Sequence, residues 1–321
     1  MTDGFMVPAP IICPDVLPNA IVEAWRELLA DDEAAQQWKC YHWLERDASA
    51  GLLSQTIDCV KAAVAAAMQP GVFSAEWESV LGIETWAQLR SAGSPLHLHW
   101  DVDEVRGRDL DETACPWMSI VCYLASDGGP TLVVGQKPDD TWGRRRVHHA
   151  LSWPNAGSVL AMPGDRLHGV LAEFGASTAG DPVRFTLILN LWKEPLAHSR
   201  PILSNMVPDA VPVSAPGMEL PPRAMTTIVA LLNEDDLVEG TEAEQAAEAS
   251  SLAAAFASSP AAVPAVASFE TRGVWLGMFD RKGVVELRLP PIDYDARGAG
   301  ADMIEWCDLV SFEQEEGSAG T

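Results

Sequence analysis

The hydrophobic period of this chain changes once, near residue 80, and that change limits what it can fold into more than any other feature. Before it, Ile21, Val22, Trp25, Leu28 and Leu29 share one face at helical spacing, as do Leu53, Ile57, Val60 and Val64, since residues three and four apart are neighbours on a helix. Pro70-Gly71 stops the second run. After it the period is two. ETWAQLR (84–90), LHLHWDV (96–102), SIVCYLA (119–125), TLVVGQ (131–136), GSVLAM (157–162) and VRFTLILNLW (183–192) read as strands. Ala92-Gly93-Ser94-Pro95, Asp127-Gly128-Gly129-Pro130, Pro154-Asn155-Ala156-Gly157 and Ala179-Gly180-Asp181-Pro182 supply turns between them. Many short strands after a helical start predict a mainly β protein with flanking helices (α+β), a barrel or sandwich with an N-terminal helical buttress.

The pattern divides the chain into a helical region (1–78), a β core (79–194) and a C-terminal extension (195–321). Residues 195–222 hold seven prolines and read as an extended segment. Residues 240–268, rich in Ala, Glu and Ser, read as a linker or surface helix. A hairpin is expected over 273–290, around Asp280-Arg281-Lys282-Gly283, and the tail EQEEGSAGT reads as frayed. The formal charge of −25 argues against nucleic acid as a partner, because affinity for phosphate backbones needs clustered Lys and Arg. Arg144-Arg145-Arg146 is too short a run to reverse that. The six cysteines are scattered without a C-x-x-C pair, so reduced thiols in a cytoplasmic setting are the expectation. No signal-peptide pattern opens the sequence, and no run of 18 apolar residues would span a membrane.

LHLHWDVDE (96–104) gathers five groups able to bind a metal: His97, His99, Asp101, Asp103 and Glu104. On a strand, His97, His99, Asp101 and Asp103 share a face. A His-x-Asp pair supplies two ligands of a 2-His-1-carboxylate triad, an arrangement that leaves positions open on non-haem iron(II). The third ligand must come from a distant histidine. His168, just after an apolar strand and a Pro-Gly turn, has the best context of the seven histidines. His148 and His149 sit in an Arg-flanked stretch that reads as loop, His42 lies in the helical region, and His198 follows in the Pro-rich segment. Arg184 opens a strand that is apolar on both faces and therefore buried. A buried arginine needs an anionic partner, either an internal acid or a bound carboxylate gripped in a two-pronged geometry. Thr186, on the same face, can add a hydroxyl.

His99-x-Asp101, then His168, then Arg184-x-Thr186 sixteen residues further on, resembles the signature of the iron(II)/2-oxoglutarate-dependent dioxygenases. SIVCYLASDGGPTLVV and PNAGSVLAMPGDRLHGV are similar to segments of the prolyl-4-hydroxylase-like branch. The resemblance covers roughly residues 80–192. It implies a double-stranded β-helix, the jelly-roll (cupin-like) barrel. It implies iron(II) on His99, Asp101 and His168, with 2-oxoglutarate and O2 as cosubstrates and Arg184 on the far carboxylate. The implied reaction oxidises a substrate C–H bond, by default to a hydroxyl, with succinate and CO2 as coproducts. Asp101 argues against a halogenase of this family, in which a small residue leaves room for halide.

Tyr123, on an apolar strand, can sit beside Arg184 and help bind the cosubstrate, or be a core tyrosine with a backbone partner. Gln88, Trp86 and Arg90 alternate on the strand before the metal strand and are candidates for a substrate pocket, with His97 as a neighbour and Asn190 near the cosubstrate. Asp103 and Glu104 are expected at the rim. A shifted register, His97-x-His99 with Glu104, resembles a cupin metal motif, but Asp165 stands where that motif has glycine and Arg184 would have no role. The competing readings are therefore a cupin-type metalloenzyme without 2-oxoglutarate and a non-catalytic barrel-based binding protein. The substrate class left open is a small molecule or a peptide side chain, and the sequence fixes no oligomeric state.

Overall fold

The computed structural model describes residues 10–68, 71–110, 112–142, 145–171, 183–196, 200–202, 206–213, 270–277, 282–289 and 303–314. The first part of the chain forms β1 (Ile11–Cys13), α1 (Asn19–Ala30), α2 (Asp32–Trp38), β2 (His42–Glu45), α3 (Gly51–Ala67) and α4 (Val72–Trp77). The period-two region follows as β3 (Gly82–Ser91), β4 (Leu96–His99), α5 (Glu104–Leu110), β5 (Met118–Tyr123), β6 (Thr131–Val134), β7 (Arg145–Ser152), β8 (Val159–Pro163), β9 (Leu167–Val170) and β10 (Val183–Trp192). Beyond it lie β11 (Arg200–Pro201), β12 (Glu270–Gly277), β13 (Lys282–Leu289) and β14 (Met303–Gln314).

From β3 to β10 the chain passes back and forth between two antiparallel sheets. One holds β8-β5-β10-β3 and the other β7-β6-β9-β4. This interleaving is the double-stranded β-helix, a jelly-roll fold. The first sheet is extended by β1 at one edge and by β2 and β11 at the other. The second is extended by β14, β13 and β12 beyond β7.

Alternation along the strands explains the layering. On β10, Leu187, Leu189 and Leu191 pack with the helices, while Ile188 joins the layer between the sheets. On β5, Met118, Ile120 and Cys122 face the helices, and Val121 and Tyr123 face inward. The apolar stripes of α1 and α3, including Trp25, Leu29, Ile57 and Val64, cover the back of the first sheet. Trp25 Nε1 donates to Thr56 Oγ1 at 2.8 Å, so the polar end of the ring is satisfied where α1 crosses α3. No helix among the described residues is long and apolar enough to cross a membrane.

Three expectations need correction. The stretch around His148 and His149 is strand β7 rather than loop, because β6 and β14 pair with its two edges and override its polar composition. The metal strand ends at His99 instead of Val102. The tail is not frayed throughout: β14 runs to Gln314 against β13. The expected hairpin pairs as β12 with β13. Lys282 and Gly283, expected in its turn, begin β13, while Asp280, Arg281, the 240–268 segment and His198 lie outside the described residues.

Trp25 is fully buried against both helix and sheet. Trp25→Ala is expected to cost about 3–5 kcal/mol of stability, read as a lower urea midpoint with an unchanged slope.

Candidate active site

The site forms where β4 meets β9. His99 and His168 are directly opposed cross-strand partners, and the register shifts between Leu96 and His99. One extra residue on β4 is thus a β-bulge, which re-aims the side chains around it. Leu96 and His99, three residues apart, consequently both line the same cavity. His97, expected to share the face of His99, is turned outward and exposed. Asp101 follows in irregular chain and returns its carboxylate to the histidines.

His99 Nε2 lies 3.7 Å from Asp101 Oδ1, and His168 Nε2 lies 3.6 Å from Asp101 Oδ2. One candidate ligand atom from each of the three residues can be chosen so that all lie within 4.8 Å of one another. Each imidazole is oriented by a carbonyl two residues earlier in the chain: His99 Nδ1 donates to the His97 carbonyl at 2.8 Å, and His168 Nδ1 to the Arg166 carbonyl at 3.0 Å. A carbonyl can only accept, so Nδ1 carries a hydrogen and Nε2 is the ring atom left facing Asp101 to act as a ligand. Burial, followed by the neighbouring His168, holds the His99 pKa down at about 4, so the ring is neutral at physiological pH. Two imidazoles and one carboxylate, on one side of a cavity, fit a divalent metal with open positions.

The same cavity is lined further by Trp86, Gln88, Val121, Thr131, Met162, Ile188 and Arg184. Arg184 is 3% exposed. Its Nη2 donates to Thr131 Oγ1 at 2.8 Å, its guanidinium lies 5.4 Å from the Tyr123 ring centre, and its Nε has no partner. Among the described residues no carboxylate pairs with it. Burial lowers its pKa, yet an arginine stays protonated at any physiological pH. The turn before Thr131 lies directly on this side chain: a Cβ on Gly128, at φ +105°, would sit 2.8 Å from Arg184 Cδ.

The other candidate residues have definite places. Thr186 is buried on the inner face of β10 opposite Gln88 and Tyr123, with an unpartnered hydroxyl. The Tyr123 hydroxyl meets Thr131 Oγ1 at 2.8 Å and the Ser152 carbonyl at 3.2 Å. Gln88 and Trp86 line the cavity, whereas Arg90, His97 and Asn190 do not. Arg90 donates to the Pro95 carbonyl at 2.7 Å. Asp103, expected at the rim, is buried. It caps α5 instead, Oδ1 accepting from Val105 N at 3.0 Å and Arg106 N at 3.2 Å, while Glu104 is exposed.

Sequence reasoning missed Thr131, Ser119 and Glu84. Ser119 Oγ donates to Asp101 Oδ2 at 2.8 Å. Glu84, 5% exposed, accepts from Trp192 Nε1 at 3.2 Å and pairs across the sheet with Asn190. Burial first, then the charge of Asp101, pushes its carboxyl up to about 7. Strand parity was the available signal: both residues alternate into the same inner face as Trp86 or Val121.

No protein-family model matches this chain, and no curated protein matches it. Among solved structures it is similar to a prolyl-4-hydroxylase from Pseudomonas putida, at 16% identity and TM-score 0.37, over 58% of this chain and 86% of that one. It is similar to HygX from Streptomyces hygroscopicus with nickel and 2-oxoglutarate bound, at 15% identity and TM-score 0.34, over 63% and 90%. It is also similar to the viral collagen prolyl hydroxylase of Paramecium Bursaria Chlorella virus-1, at 12% identity and TM-score 0.31, over 57% and 94%.

Glu84 makes a pH-dependent contribution with a definite sign. Its carboxyl titrates from the ordinary 4.5 when unfolded and near 7 when folded. Between those values the folded state holds more protons, so stability falls as pH rises, and the loss is complete above pH 7. Glu84→Gln is expected to stabilise the metal-free protein at pH 8 by on the order of 3 kcal/mol and to change it little at pH 4. Thermal midpoints at the two pH values check this; equal shifts at both would contradict it.

Proposed function

We propose that this chain is an iron(II)- and 2-oxoglutarate-dependent oxygenase that oxidises, by default hydroxylates, a C–H bond of a small molecule or peptide side chain. One observation carries the reading. A single cavity has His99, Asp101 and His168 on one wall and, on another, a buried guanidinium that no acid of the described protein neutralises. Burying an unpaired charge is costly, so Arg184 calls for an anionic ligand inside the cavity. A dicarboxylate able to reach both walls answers that need.

Each residue then has a physical task. His99 and His168 would hold the metal through Nε2 and Asp101 through its carboxylate. Iron(II) bound there supplies the chemistry that couples oxidative decarboxylation of 2-oxoglutarate by O2, giving succinate and CO2, to insertion of one oxygen atom into a C–H bond. Arg184 would grip the far carboxylate, with the Thr131 hydroxyl fixing the guanidinium plane and the Tyr123 ring lying against it. Val121, Met162 and Ile188 keep water from the space between the walls. Trp86 and Gln88 are the substrate-facing candidates; Tyr41 packs edge-on against Trp86 with ring centres 4.9 Å apart and is itself exposed.

The test measures iron content and 2-oxoglutarate-dependent succinate formation. His99→Ala, Asp101→Ala and His168→Ala are expected to lose iron and turnover, and His97→Ala to keep its iron. Arg184→Ala should keep iron but weaken 2-oxoglutarate by about 1.5–3 kcal/mol. Full iron in the triad variants would sink the metal site. An iron form that never binds 2-oxoglutarate would favour the cupin-type reading instead.

A further inference from the structure

Asp101 lies beyond the end of β4, so no strand register fixes where its carboxylate points. Among the described residues, the hydroxyl that donates to it is that of Ser119, at 2.8 Å. Ser119 is completely buried on β5. It faces inward by the same parity as Val121 and Tyr123. We propose that Ser119 is the positioning residue for the metal-binding carboxylate, holding Oδ2 so that Asp101 presents Oδ1 as its unencumbered donor. The inference rests on the metal-site reading above.

The surroundings leave this hydroxyl one job. Its neighbour on β10 is Asn190, whose amide side chain bonds to Glu84 while its Oδ1 has no partner. Asn190 Oδ1 therefore does not compete with Asp101 for the Ser119 hydrogen. The two carboxylate oxygens are made inequivalent. Oδ2, near His168, accepts a hydrogen bond, whereas Oδ1, near His99, accepts none among the described residues. Without the hydroxyl the carboxylate can turn about its terminal torsion, which is broad for Asp. A ligand that must be reoriented on each binding event binds more weakly, and partners that orient metal ligands typically contribute ten- to hundredfold in affinity.

The experiment titrates cobalt(II), a redox-stable stand-in for iron(II), into metal-free wild type, Ser119→Ala and Ser119→Thr, and records the thermal midpoint of each metal-free protein. Ser119 pairs across the sheet with Met162, a flexible side chain able to yield to the extra methyl of threonine. The expected result is a loss of about ten- to hundredfold for Ser119→Ala, affinity near wild type for Ser119→Thr, and similar metal-free midpoints. Equal affinity in Ser119→Ala and wild type overturns the role of Ser119 and leaves the metal site standing. Equal losses in both variants, tracking lowered midpoints, also overturn it, since the effect then follows packing and not the hydroxyl. A wild type that takes no cobalt(II) overturns the metal site and this inference together. If Ser119→Ala does not fold, Ser119→Cys, of similar size but a weak donor, takes its place with the same readings.

Discussion

The pairing of His99 with His168 across β4 and β9 is the contact on which the site depends. These residues stand far apart in the chain, and the interleaved sheets are what make them neighbours. The pairing is also tight. A Cβ on Gly169 would come within 2.6 Å of the Leu96 carbonyl oxygen, so the strand beside His168 has no room for any side chain at that position. Close approach and the bulge in β4 go together. The extra residue lets the chain press against β9 while still turning both Leu96 and His99 toward the cavity. Neither imidazole borrows its orientation from the other, because each is held by a carbonyl two residues earlier in the chain.

Around this contact the fold sorts charge. Acidic residues collect at one end of the inner face, where Asp101, Asp103 and Glu84 are all buried, and Arg184, paired across the sheet with Arg90, sits at the other. The acids are accommodated locally. Asp103 accepts backbone hydrogens of α5, Asp101 accepts from Ser119, and burial pushes the Glu84 carboxyl up to about 7. Arg184 has hydrogen bonding and an aromatic face but no countercharge within the described protein. That asymmetry distinguishes the cavity from an ordinary buried ion-pair network, in which opposite charges meet.

Much of this was legible from alternation. Six of the eight strands from β3 to β10 appear in the sequence as strand patterns, β10 with its full ten-residue span because it is apolar on both faces, whereas β7 and the short β9 do not. The His99, Asp101 and His168 set could be chosen from the His-x-Asp spacing, the strand-and-turn context of His168 and the family resemblance, and the structure brings the three together. Three things were not legible. A bulge is a property of pairing between two strands, so the outward turn of His97 has no signature in LHLHWDVDE itself. β7 and β14 gain their strand character from neighbours more than from their own residues. Ser119 and Glu84 were visible only as polar residues at inward positions, and nothing in a linear sequence says that Ser119 ends opposite Asp101.

β10 carries Arg184 at one end and Asn190, beside the carboxylate-holding serine, at the other. From Thr186 to Leu191 it is hydrogen-bonded on both sides, to β3 and to β5. The separation between Arg184 and Asn190 is therefore set along a paired central strand, in steps of about 3.3 Å per residue, without a loop in between to take up slack. On the proposed reading, a diacid gripped by Arg184 would lie along a strand that cannot shift to suit its length.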